Sequence, residues 1–140
     1  MSGPSLEERL KPFPSKLIHD NPSGYGTYVA HGCVKERLLD LYGSYSFELV
    51  QILRGAAGKC EGDVIVGVVF RMTVQNEDGP QVIEDVGDCE IPSNWPHDGA
   101  RLKDAISDAL KRCAAHTGIG LHLWVGEDAY LYEKLKKGTS

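Results

Sequence analysis

The pattern of apolar positions gives its strongest strand signal over residues 64–75. Val64, Val66, Val68, Phe70, Met72 and Val74 share one face there, and Ile65, Gly67, Val69, Arg71, Thr73 and Gln75 share the other. A period of two over that length predicts a β-strand. Residues 44–53 begin the same way, through Tyr45, Phe47 and Leu49, then change phase at Val50 and Ile52. A phase change inside a strand is what a β-bulge leaves behind. Residues 55–63, GAAGKCEGD, read as the loop between these two strands. Asn76-Glu77-Asp78-Gly79 is a hairpin turn signal, and residues 81–89 return antiparallel.

The helical period governs the rest. Over residues 98–115, Leu102, Ala105, Ile106, Ala109, Leu110 and Cys113 fall on one stripe, a core-facing side of about 100°. Gly118 and Gly120 end that helix. Residues 28–41 carry a second apolar face in Val34, Leu38 and Leu41, with Leu39 and Tyr42 beside it, and stop at Gly43. Ser5 followed by Glu8 has the capping-box spacing and starts a short helix with Leu6 and Leu10 on one face. Pro12 and Pro14 stop it in a Lys-Pro-Phe-Pro elbow that should bury Phe13. Residues 19–27 read as a loop, and Pro92, Asn94, Trp95 and Pro96 as a connector. The tail holds Trp124, Tyr130 and Tyr132, then Lys134, Lys136 and Lys137. The order is helix, helix, three-stranded meander, helix. That predicts one α+β domain over residues 1–140, an antiparallel β-meander with helices on one face.

Composition narrows the class. With 140 residues, 41% hydrophobic and 25% charged, the chain supports one modest core. No apolar run nears the roughly 18 residues of a membrane span, and MSGPSLEERL has no signal-peptide core, so a cytoplasmic protein without membrane partners is expected. Cys33, Cys60, Cys89 and Cys113 form no C-x-x-C pair, and the five histidines lack ligand spacing. Reduced thiols, in the core or half-buried, and no metal or cofactor are therefore expected. A net charge of -5 weighs against nucleic acid, though only in part, because a small basic groove can sit on an acidic body.

No phosphate-binding Gly-rich loop, G-x-S-x-G or H-E-x-x-H is present, so no catalytic residue is expected. Glu84, Asp85, Asp88 and Glu90 have the chemistry for a divalent metal. Alternation sets Glu84 and Asp88 on one face and Asp85 on the other, which argues for a solvated strand instead. The candidate basic set is Arg54, Lys59, Arg71, Arg101, Lys103, Lys111 and Arg112. Lys103, Ser107 and Lys111 lie four apart on one stripe, with Asp104 and Asp108 near it. A Lys-Arg pair in the last helical turns complements the helix dipole without any ligand. Spacing alone therefore favours ordinary surface charge.

Four segments, taken in order, change that weighting. They are Leu10-Lys11-Pro12-Phe13-Pro14, the helix ending Arg37-Leu38-Leu39-Asp40-Leu41-Tyr42-Gly43, the strand Glu84-Asp85-Val86-Gly87, and residues 105–120, AISDALKRCAAHTGIG. Over roughly residues 6–135 the chain resembles the single-strand DNA annealing family typified by the eukaryotic Rad fifty-two protein and phage relatives such as Sak. The resemblance implies a β-β-β-α annealing core with N-terminal helices, assembled side by side into a ring or helical filament. It implies ATP-independent binding of single-stranded DNA and annealing of complementary strands in homologous recombination and double-strand-break repair. It implies a phage or bacterial source, with a phage exonuclease or a host single-strand binding protein as further partners. Lys111 and Arg112 would line the DNA groove, with Lys103 assisting. Lys16 is the residue nearest to a basic position the family places before its second helix, where this chain has no arginine. Arg71, on the sheet, is added on our own reading. The rival readings are a single-strand binder that does not anneal, a small metal-dependent enzyme using Glu84, Asp85 and Asp88, and an interaction module with no nucleic-acid role.

Overall fold

A computed structural model of the chain describes residues 3–22, 26–125 and 130–138, the last three of these by their main chain only. The fold falls into two compact units. One comprises Met1–Tyr45, Val74–Gln81 and Ala114–Ser140, the other Ser46–Thr73 and Val82–Cys113.

The second unit contains most of a three-stranded antiparallel sheet and most of the long helix. Strands β3 (Ser46–Ala56), β4 (Asp63–Asn76) and β5 (Gly79–Asp88) lie in the order β3-β4-β5, and α3 (Asp98–Thr117) follows them. The fold class is thus α+β, with a meander packed by helices, as the two periodicities predict. Leu49 pairs with Phe70 and Gln51 with Val69, so Val50 is the extra residue of a bulge, where the alternation changes phase. A second irregularity lies on β4: Leu53 pairs with Gly67 and Arg54 with Ile65, leaving Val66 over. Alternation put Ile65 on the face opposite Val68; the bulge at Val66 shifts that phase, and Ile65 is buried.

The core of this unit joins Val68, Phe70 and Cys89 to Ala105 and Ala109 of α3, with Phe47, Leu102 and Ile106 around them. Phe47 stacks on Phe70 with ring centroids 4.2 Å apart. The helix comes close because it presents alanines to a glycine. A Cβ on Gly87 would fall onto the Ala105 carbonyl oxygen and lie 2.6 Å from both the backbone nitrogen and the Cβ of Ala109. At the start of α3, Asp98 accepts from the Ile65 N–H (3.2 Å), from Arg54 (3.1 Å) and from Arg101 (3.0 Å). These bonds, led by the Ile65 amide, hold the Asp98 carboxyl below its ordinary value. Arg101 also donates to the Pro92 and Trp95 carbonyls, which folds the connector onto the helix.

The first unit is built around the proline elbow. Helix α1 (Leu6–Leu10) begins with the complete capping box: Ser5 accepts from the Glu8 N–H, and Glu8 accepts from the Ser5 N–H. Phe13 is buried, with the Arg37 guanidinium 4.5 Å over its ring. Arg37 also donates to the Lys11 carbonyl at 2.8 Å. Residues 19–27 are not all loop, since β1 (His19–Asp20) pairs with β2 (Thr27–Tyr28). That ladder takes Tyr28, so α2 (His31–Tyr42) begins later than its apolar period alone indicates. Tyr42 donates to the buried Asn76 at 2.6 Å, and Asn76 donates to Gln81 at 2.7 Å, which fixes the β4–β5 hairpin within this unit. The tail is helical: α4 (His122–Val125) and α5 (Leu131–Gly138), the latter against α1. Among the described residues, no helix is long and apolar enough to cross a membrane.

Arg9 is only 7% exposed. Its Nη1 donates to the Thr117 carbonyl at 2.9 Å and its Nε to the Ser5 carbonyl at 3.3 Å, so it caps the end of α3 with a charge. Gly118 follows with φ of +106° and its α-carbon facing Leu10, a conformation that glycine adopts without strain. Arg9→Met keeps the stem but leaves the buried carbonyl unpaired. We expect a loss of about 2 kcal/mol in urea unfolding, from the value of a hydrogen bond to a charged group; unchanged stability would show that water replaces the guanidinium.

Candidate nucleic-acid interface

Because α3 buries Ala105, Ala109 and Cys113 against the sheet, Ser107, Asp108, Lys111 and Arg112 are left half-buried on its flank. There they line a cleft of about 390 Å³, together with Asp88, Glu90 and Asp104. The cleft's organising residue is Asp108. Its Oδ2 accepts from Arg112 Nε at 2.8 Å and from the Asp88 backbone N–H at 2.9 Å. One carboxylate thereby ties the helix to the end of β5 and orients the guanidinium. Asp85 and Asp88 add their fields to that of Asp108 at Arg112.

Four carboxylates and two cations thus line the cleft. Burial pushes the Asp104 carboxyl above its ordinary value; Asp108, Asp88 and Glu90 push it further, against a hydrogen bond with Cys89 that lowers it. Burial, then the charge of Asp104, pushes the Cys89 thiol up to about 11. For Asp104 the linkage sign follows from the direction of its shift. The folded protein holds its proton more tightly than the unfolded chain, so stability falls as pH rises from the ordinary value of 3.8 through the raised one. Asp104→Asn should therefore raise the melting temperature at pH 7, and the gain should vanish below pH 3.8, where both side chains are neutral. A variant less stable at pH 7 would mean that the bond with Cys89 outweighs the repulsion.

The structure brings together some of the expected cations and not others. Lys111 and Arg112 share the cleft, and Lys103 is exposed earlier on the same helix. Arg71 lies on the opposite face of the sheet, where it makes a two-nitrogen ion pair with Glu84 at 3.0 Å and stands across from Glu48. Lys16 is exposed on a single 3₁₀ turn, Ser15–Leu17, in the first unit. Arg54 and Arg101 are held by Asp98. Of the acids considered for a metal, Glu84 is on the open sheet face with Arg71, whereas Asp85 acts on Arg112 and Cys113 from the helix side. Among the described residues, no group of three or more His, Cys, Asp or Glu is placed to hold a metal ion.

The pattern of charges along the sequence passed over the central role of Asp108. Its signal was present as an acid four residues before an arginine on a helix. The bond to the Asp88 amide had none. No protein-family model matches the chain, and no curated protein matches its sequence.

Proposed function

We propose that the chain binds single-stranded DNA along the flank of α3 and anneals complementary strands without ATP, as a homo-oligomer acting in recombination and break repair. The observation that carries this reading is the β-β-β-α order with Lys111 and Arg112 adjacent on the half-buried flank of α3. Annealing needs contacts to phosphates and leaves the bases open, so two cations on a rigid helix suit it better than a base-reading pocket. The acids around them make each subunit's contribution small. Repetition along one continuous strand offsets this, because each further subunit engages at high effective concentration. The outer strand β3 supports such assembly, since Leu49, Val50 and Ile52 are exposed along an edge of the sheet. Lys103 extends the phosphate track; Lys16 and Arg71 are assigned lesser roles.

The test mixes complementary oligonucleotides with the protein, without nucleotide, and follows duplex formation by fluorescence while native mass reports the assembly state. Faster pairing by an oligomer is the expected result. Binding without faster pairing would leave a protective single-strand binder, and a monomer that does not bind would end the proposal.

A further inference from the structure

The first unit holds a second cavity, of about 250 Å³, whose wall includes Leu10 and Pro12, Leu121 just before α4 and Val125 at its end, and Leu131 and Tyr132 of α5. His122 also lines it, and both ring nitrogens of His122 are buried without a hydrogen-bond partner among the described residues. Buried polar side chains are nearly always paired, so an imidazole with neither nitrogen satisfied, on an apolar cavity, is a feature to be explained. His122 has no role in the α3 cleft, and a ligand for this cavity is independent of the DNA-binding reading.

We propose that this cavity binds a small, uncharged aromatic alcohol, with the hydroxyl group on His122 and the ring among the leucines and tyrosines. Size sets the first limit. Apolar cavities of about 150 Å³ hold benzene, so this one takes one ring or a fused pair. Charge sets the second. Burial, and then the nearby Arg37, favour the uncharged imidazole. Glu133 also lines the cavity, which disfavours an anion. A neutral imidazole offers one donor and one acceptor, and a hydroxyl, which both donates and accepts, matches either. A hydrocarbon of the same shape leaves His122 unpaired. Contact requires a turn of the ring about its last torsion, which is broad for such sp³–sp² bonds.

The experiment uses the full chain and two near-isosteric probes, 2-naphthol and 2-methylnaphthalene, with binding followed by calorimetry and by the His122 ring ¹⁵N resonances. The naphthol should bind at least tenfold more tightly and move those resonances. His122→Leu should abolish the preference, and Leu131→Trp should fill the cavity and weaken both probes. Equal affinity for the two probes in the unaltered protein, or binding of neither, would overturn the proposal without recourse to a variant. So would tighter binding of 2-naphthoate than of 2-naphthol, or a preference that survives His122→Leu in a folded variant.

Discussion

Replacing Gly87 with alanine should cost about 3 kcal/mol or more, at or beyond the upper end of ordinary overpacking. The added methyl group meets the Ala105 carbonyl oxygen and the Ala109 backbone nitrogen, and neither can yield without moving α3. Only the contact with the Ala109 Cβ can be relieved by substitution. Ala109→Gly in the same chain should therefore restore little of the loss. Gly55, on β3 of the same sheet, has nothing within 4 Å of its Cβ position and is the internal control. Alanine there should be close to neutral. Urea unfolding of the three variants measures the effect as a lower midpoint at unchanged slope. Equal midpoints for Gly87→Ala and Gly55→Ala would mean that α3 does not pack on β5 as closely as described. The same close approach brings the Asp88 amide within reach of Asp108, so Gly87 also positions the cleft.

Legibility in the sequence followed the length of each period and the presence of polar residues to mark its phase. The bulge at Val50 could be read because Tyr45, Phe47 and Leu49 alternate with polar residues before the shift. The bulge at Val66 could not, since Val64, Ile65, Val66, Val68 and Val69 are all apolar and carry no phase. The ladder of β1 and β2 is two residues long on each strand, too short for any period. Helix α4 is only four residues long, and α5 has apolar Leu131 and Leu135 one turn apart but no capping signal between tail and helix. The burial of Arg9 carries no sequence signal, because its partner, the Thr117 carbonyl, lies 108 residues away. The same limit applied at the candidate site. Lys111 and Arg112 were visible as neighbours on a helix, but the bond from the Asp88 amide to Asp108 depends on where β5 ends against α3.

Lys111→Ala combined with Arg112→Ala should weaken binding to a labelled single-stranded oligonucleotide at least tenfold, since one charge-assisted contact is worth about 1.5–3 kcal/mol. The affinity should also become less sensitive to salt. Each phosphate contact on a single strand contributes about 0.7 to the log-log slope, so losing two flattens it by about 1.4. Fluorescence polarisation over a series of NaCl concentrations reads both quantities, and circular dichroism checks the helix. The fold should persist, because an ion pair four residues apart on a helix, as Asp108 and Arg112 are, adds only about 0.3–0.5 kcal/mol. Asp108→Asn tests the same site in the opposite direction. Its amide oxygen can still accept from the Asp88 N–H, but the carboxylate that competes with a phosphate for Arg112 is gone. Affinity should rise several-fold, and most at low salt, where attraction between cation and phosphate is least screened. Weaker binding by Asp108→Asn would show that the carboxylate aims Arg112 at the strand and does not compete with it. An unchanged salt slope in the double alanine variant would remove the α3 flank from the DNA path altogether.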